Sequence, residues 1–194
     1  MMPRLPTGPL RQDRDADEFV YAHARYAAQR EAALSLALDQ ARALGVLASE
    51  QRLTPITLTA LRAYRDQWTT RHWTGHGGWD WAEKARRYGR KPRSFHAALW
   101  SGETLCGLCV GSVCKSKAHL ILHFMESAPN AHHPLRGAVT EIMFAAARNY
   151  ALALGVPKIY LREPLQGVRS RYAGLGFSLA CEYRGTVYFQ LQLT

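Results

Sequence analysis

Acidic residues are the scarce class in this chain, with 15 Asp and Glu against 25 Lys and Arg and a formal net charge of +10. A surplus of that sign attracts nucleic acid, anionic membrane surfaces or phosphorylated small molecules without choosing among them. Cysteine is sparse too, at 4 in 194 residues, which excludes a disulfide scaffold. Cys106, Cys109 and Cys114 share one strand-like run, and because strand side chains alternate between faces, Cys106 and Cys109 are expected to point apart. Packing therefore outweighs a metal or redox reading of that Cys-x-x-Cys. No apolar run approaches the roughly 18 residues of a membrane-crossing helix. The N-terminus lacks the apolar segment of a secretory signal, so a cytoplasmic location without a membrane partner is expected. There are no internal repeats.

What the chain does have is core-forming material, 47% hydrophobic and 10% aromatic. Residues 1–17, with a Pro-rich start, read as a flexible N-terminus. Residues 18–53 read as a helical extension and 54–194 as the main domain. Asp15 or Asp17 can cap a helix from Glu18, whose apolar face takes Phe19, Ala22, Tyr26, Ala33, Ala37, Ala41 and Leu44. Gly45 followed by Val46 is its expected stop, with Val46 as the hydrophobic contact. Arg25, Arg30 and Arg42 fall on what should be a solvated face. A second helix is expected from Thr54 and Pro55, cap and first helical position, to about Thr70.

Arg71 to Gly78 reads as a loop facing a substrate. His72 and His76 in it have helical metal-pair spacing, but its glycines oppose the helix such a pair needs, so no metal is expected. A short helix to Gly89 then carries Lys84, Arg86, Arg87, Arg90, Lys91 and Arg93 interleaved with Trp81 and Tyr88. Aromatics between cations can stack bases while the cations meet phosphates, so an RNA or acidic partner is one reading and a solvated basic helix end the other. From Ser94 the pattern turns to strands. A hairpin turns at Gly102, a third strand runs through Leu120 to Glu126, and a helix ends near Gly155. Lys158 to Leu161 is a strand, a short basic helix follows, and a last hairpin turns at Arg184 and Gly185.

That order resembles the GNAT superfamily of acyl-CoA-dependent N-acetyltransferases. The resemblance is carried by FHAALWSGETLCGLCVG, LILHFMESAP, LRGAVTEIMFAAARNYALALGV and RSRYAGLGF, and Tyr172, Leu175, Gly176 and Phe177 fill its Tyr-x-x-Leu-Gly-Phe signature. It implies an α/β (α+β) fold, a mixed, mostly antiparallel central sheet with flanking helices; the N-terminal helical extension exceeds that core and could form a homodimer contact or an acceptor-binding cap. It implies acetyl-CoA or another acyl-CoA as co-substrate and an amine as acceptor, attacked directly in a ternary complex. The family's pyrophosphate turn, a Gln or Arg, two residues, Gly, one residue, then Gly or Ala, falls on Leu135, Ala138 and Thr140, and Arg136 and Gly137 lie within it. Leu165 and Val168 stand where the family often has Asn and Ala.

A helix that begins just after a strand offers unpaired N–H groups and a positive dipole end to phosphate. Leu135, Arg136, Gly137, Ala138, Val139 and Thr140 are therefore the candidate cradle, with backbone near Met125 and Ser127 polarising the acyl carbonyl. Tyr172 matches the family's thiolate-protonating position. Glu126, at the end of a strand, is the first candidate base and His123 the second. Three residues apart on a strand, they are expected on opposite faces, so only one would serve. The rival reading is a catalytically silent GNAT-like nucleic-acid-binding or interaction protein using residues 84–93. An acetyltransferase acting on an RNA-borne amine would combine the two.

Overall fold

The computed structural model describes residues 10–47, 50–69, 77–130 and 132–193, with side chains from Glu18 onward; His72, His76 and the expected helix end at Thr70 lie outside the described residues. Helix α1 spans Leu10–Ala43 and so begins well before Glu18. Its buried stripe is Tyr26, Ala33, Leu34, Ala37, Leu38 and Ala41, while Phe19 and Leu44 stay exposed. Gly45 does stop it in the left-handed region, at φ 69°. The contact behind the stop is Leu47, buried in the core, whereas Val46 is exposed. Arg30 departs most from its expected solvated place. It is buried, and its guanidinium donates to the Ser94 carbonyl at 2.9 Å, beside the Tyr150 phenol.

Thr54 does not cap a helix. It closes a strand, β1 (Gln51–Thr54), that pairs antiparallel with the Ala98–Ser101 stretch. Its hydroxyl accepts from the Trp100 indole at 3.0 Å instead. The cap passes to Thr57, which accepts from the Ala60 N–H and opens α2 (Leu58–Gln67). Pro55 sits in the connection, where the absence of an N–H costs no ladder bond. Asp80 caps α3 (Trp81–Gly89) through the Glu83 N–H.

The rest is β2 (Ser94–Ser101), β3 (Thr104–Val113), β4 (Leu120–Ser127), α4 (Val139–Ala153), β5 (Lys158–Arg162), α5 (Arg169–Gly174), β6 (Ser178–Tyr183) and β7 (Thr186–Gln192). The seven strands form one sheet in the order β1-β2-β3-β4-β5-β7-β6. Every pair is antiparallel except β4 with β5. The architecture is thus the mixed, mostly antiparallel sheet with flanking helices that the sequence implied. Helices α1 and α4 share the core on one face with Leu34, Met143, Tyr150 and Ile159; on the other, Trp81 and Tyr88 of α3 and Ala60 of α2 pack with Leu105, Leu108 and Val110. Each fully buried Leu or Ile contributes about 1.5–3 kcal/mol to holding these layers.

Two bulges break the strict alternation of strand faces. In β3 the register jumps from Leu99↔Gly107 to Trp100↔Leu105, which leaves Cys106 as the extra residue. Cys106 and Cys109 consequently join the same buried cluster, instead of pointing to opposite faces, and both are free thiols. In β4 the jump from Val110↔Phe124 to Gly111↔Leu122 leaves His123 as the extra residue. The second bulge shapes the candidate cleft.

Candidate functional site

Strands β4 and β5 pair only over Leu120–Leu122 and Ile159–Leu161. β4 then runs on to Ser127 without β5 beside it. The Ala128 N–H bonds back to the Cys106 carbonyl on β3 at 2.9 Å. Since N–H groups alternate along a strand, those of Met125 and Ser127 face the open edge. Two adjoining cavities occupy this fork. One, of about 200 Å³, is lined among others by His123, Phe124, Arg162 and Glu163; the other, of about 320 Å³, by Glu126, Ser127, Arg136, Gly137, Val139 and Thr140. Trp79, Met125, Leu165 and Tyr172 line both, so they are parts of one cleft.

At the wider end the turn before α4 sets the geometry. Gly137 has φ 90°, a conformation that suits glycine, and no atom lies within 4 Å of where a Cβ would stand. Open space over a glycine, next to the first turn of a fifteen-residue helix, fits a phosphate group. Within the candidate cradle the side chains divide. Arg136, Gly137, Val139 and Thr140 line the cavity, whereas Leu135 is buried in the core and Ala138 packs against it. Only backbone atoms of Leu135 and Ala138 are left to act there, and the Ala138 N–H is already bonded to the Leu135 carbonyl at 3.0 Å. Arg171, which the sequence reading did not single out, also lines this cavity. Its guanidinium is held by Glu141 at 2.7 Å and donates to the Gly137 carbonyl, tying α5 to the turn.

Glu126 is buried on the cleft wall. Its Oε1 accepts from the Gly78 N–H at 2.5 Å and its Oε2 from the Trp81 indole at 2.6 Å. The close approach requires Gly77, at φ 109°, because a Cβ there would overlap the carboxylate. The carboxylate also acts at a distance: burial first, then the charge of Glu126, raises the Tyr64 phenol above its ordinary value.

His123 and Glu126 turn out to share a face of the sheet, contrary to simple alternation. The bulge rotates His123 onto the α3 side, where its ring stacks on Tyr88 at 4.5 Å, and Glu126 meets Trp81 of the same helix. Burial, and then Lys91, Arg162 and Arg87, push the His123 pKa down to about 4, so the imidazole is neutral at pH 7. Its Nε2 lies 2.8 Å from the Ser112 hydroxyl. Tyr172 stands where the two cavities meet, its ring edge-on to Phe144 at 5.6 Å. Burial, and then the neighbouring Cys109, raise its phenol pKa against the opposing pull of Arg171.

The basic segment does not stay together. Lys84 lies over the Phe124 ring at 4.8 Å and pairs with Glu83, while Arg93 donates to the Lys115 carbonyl at 2.6 Å. Arg86, Arg87, Arg90 and Lys91 remain exposed. Trp81 and Tyr88, the aromatics between them, are buried, so they give no stacking surface for bases. Residues that sequence reasoning missed, Trp81 and Gly78 as donors to Glu126 and Arg171 at the turn, gave no periodic signal. Leu165 and Val168 had been noticed only as departures, and both line the cleft. Among the described residues no group of His, Cys, Asp and Glu could hold a metal ion.

No family model matches the sequence, and no curated protein matches it. Solved structures do match the fold. The ribosomal-protein-S18-alanine N-acetyltransferase of Escherichia coli superposes with a TM-score of 0.55 at 14% identity, covering 74% of this chain and 94% of that one. The PaiA N-acetyltransferase of Thermoplasma acidophilum, in complex with coenzyme A, gives 0.53 at 11% identity, covering 73% and 98%. An aminoglycoside 6′-N-acetyltransferase complexed with coenzyme A gives 0.56 at 11%, covering 73% and 97%. The chain has the GNAT fold. In this GNAT fold the forked strands, the turn at Gly137 and Tyr172 line one cleft. No described helix is long and apolar enough to cross a bilayer.

Proposed function

We propose that this chain is an acyl-CoA-dependent N-acetyltransferase that moves an acetyl group from acetyl-CoA to an amine by direct attack in a ternary complex. The observation that carries the reading is the fork between β4 and β5, with the Gly137 turn at one end and Tyr172 at its middle. Acetyl-CoA supplies the activated thioester. The cradle is built from the backbone of Gly137, Val139 and Thr140 together with the Arg136 side chain, and the α4 dipole favours negative charge there. The N–H groups of Met125 and Ser127 on the open edge polarise the acyl carbonyl.

Glu126 takes the amine proton through water. Both its oxygens already accept one hydrogen bond each and keep lone pairs for another. His123 is neutral and its Nε2 is already engaged with the Ser112 hydroxyl, so it serves as a neutral hydrogen-bonding wall. As the C–N bond forms and the C–S bond breaks, Tyr172 gives its proton to the departing thiolate. Its raised pKa keeps that proton in place at neutral pH.

The nucleic-acid-binding reading draws no support from Trp81 and Tyr88, which are buried and offer no stacking surface. The test is calorimetry with acetyl-CoA on the full chain, followed by thiol release with an amine panel. Binding in the micromolar range is expected, and no binding at millimolar ligand would sink the enzyme reading.

A further inference from the structure

We propose that the acceptor amine carries an anionic group, a phosphate or carboxylate, seated against Arg162, Lys91 and Arg87 at the His123 end of the cleft. This rests on the acetyltransferase reading above and names its substrate class. Arg162 lines the narrow cavity directly, from the β5 side. From the α3 side, Arg87 and Lys91 lie 5.9 and 5.5 Å from the centroid of the Tyr88 ring, and that ring stacks on His123 in the cavity wall. Arg162 on β5 and Arg87 and Lys91 at the end of α3 thus gather around the same His123 wall, all on the α3 face of the sheet.

Their compensation is incomplete. Arg162 meets Glu163 at 3.7 Å, and Arg87 meets Glu83 only at 4.0 Å, where Glu83 is already bonded to Lys84 at 2.6 Å. Lys91 makes no ion pair among the described residues. Arg162, Arg87, Lys91 and Lys84 therefore face two carboxylates, Glu163 and Glu83. His123 presents a further feature of a built site. Its Nε2 is spent on Ser112, yet its Nδ1 is buried with no hydrogen-bond partner, an unspent polar atom of a side chain that lines the cavity.

The opposite polarity lies along the same wall. Glu126 is a buried carboxylate on the neighbouring cavity, placed to receive an ammonium before it loses its proton. An amine with an anionic group is matched at both ends, its nitrogen toward Glu126 and its anion toward Arg162 and Lys91. A polyamine or aminoglycoside would meet Glu126 alone and be repelled by the rest. The same positive field also lowers the ammonium pKa of a bound acceptor and favours the nucleophilic free base.

The test compares phosphoethanolamine, β-alanine, ethanolamine and 1,4-diaminobutane on the full chain, in thiol-release kinetics with acetyl-CoA and in calorimetry without it. Phosphoethanolamine and β-alanine are expected to bind at least about tenfold more tightly than ethanolamine and the diamine, a difference of about 1.4 kcal/mol. The Arg162→Gln, Lys91→Gln double variant should remove that preference while leaving ethanolamine binding within about twofold. Phosphoethanolamine ahead of β-alanine marks phosphate as the group, and the reverse marks carboxylate. Preferential binding of the anionic amines with no acetyl transfer overturns the activity and keeps this inference. Equal or tighter binding of the diamine, a preference that survives the double variant, or no binding of either anionic amine overturns it.

Discussion

Lowering the pH from 7 to 5 should destabilise this fold chiefly through two buried histidines, with His119, held below its ordinary value by burial and then Lys158, adding in the same direction. His123 is held down to about 4 by burial and then by Lys91, Arg162 and Arg87. His96 is held down to about 3 by burial and then by Arg30, with its Nδ1 accepting the Ile56 N–H at 3.1 Å. Both folded values lie below the ordinary 6.5, so the unfolded chain takes up these protons first as pH falls. Stability is lost from about pH 6.5 downward and the loss ends only below the folded values. At pH 5, about 1.5 pH units below the unfolded value, protonation stabilises an unfolded histidine by about 2 kcal/mol that its folded counterpart does not share. The pair sums to about 4 kcal/mol, a large share of the 5–15 kcal/mol typical of a domain. Urea unfolding at pH 7 and pH 5 reads this directly. His96→Asn, which keeps an acceptor for Ile56, should restore about half of the loss at pH 5. A loss below about 1 kcal/mol, or an unchanged pH slope in His96→Asn, would refute the reasoning.

Tyr172→Phe should lower kcat about 100-fold, because the departing thiolate loses its proton donor, and leave KM for acetyl-CoA within about twofold; parallel loss in both constants would instead mark a packing role against Phe144. Gly77→Ala places a Cβ on the Glu126 carboxylate and demands a left-handed alanine. Loss of the Gly78 bond and the backbone strain should cost about 2–4 kcal/mol in denaturant unfolding, with a shifted tryptophan emission from Trp79 and Trp81, and an unshifted emission at full stability would show that the Glu126 contact does not hold that loop.

Much of the fold was legible because its signals are local. Apolar runs bounded by turns mark β2 through β4, Gly102 and the Arg184–Gly185 pair mark hairpins, and both of the latter residues do take positive φ, at 52° and 74°. The first helix was legible as a helix, but the burial of Arg30 was not. Its partner, the Ser94 carbonyl, lies 64 positions away, and nothing in a helical stripe tells which arginine will find such an acceptor. β1 was missed for a related reason. Thr54 followed by Pro55 is a strong helix-start pattern, and it lost to a sheet edge that needed four residues opposite Ala98–Ser101.

The candidate site could be read from the sequence as a list of residues and not as an arrangement, and the difference comes down to one extra residue. With regular alternation, His123 and Glu126 would face opposite sides and compete for a single role. The extra residue at position 123 breaks the count between Leu122 and Phe124. Leu122 stays in the α1/α4 core while His123, Phe124 and Glu126 all meet α3 or the segment before it. The same bulge is where pairing to β5 has just ended, so opening the cleft and turning a neutral imidazole and a carboxylate onto one wall are a single structural event. No composition or spacing rule reveals a bulge, since it is fixed by the register that β3 and β5 impose from either side. In the proposed reaction a base and a hydrogen-bonding wall then act together on one acceptor, a division of labour that the sequence alone presented as a choice.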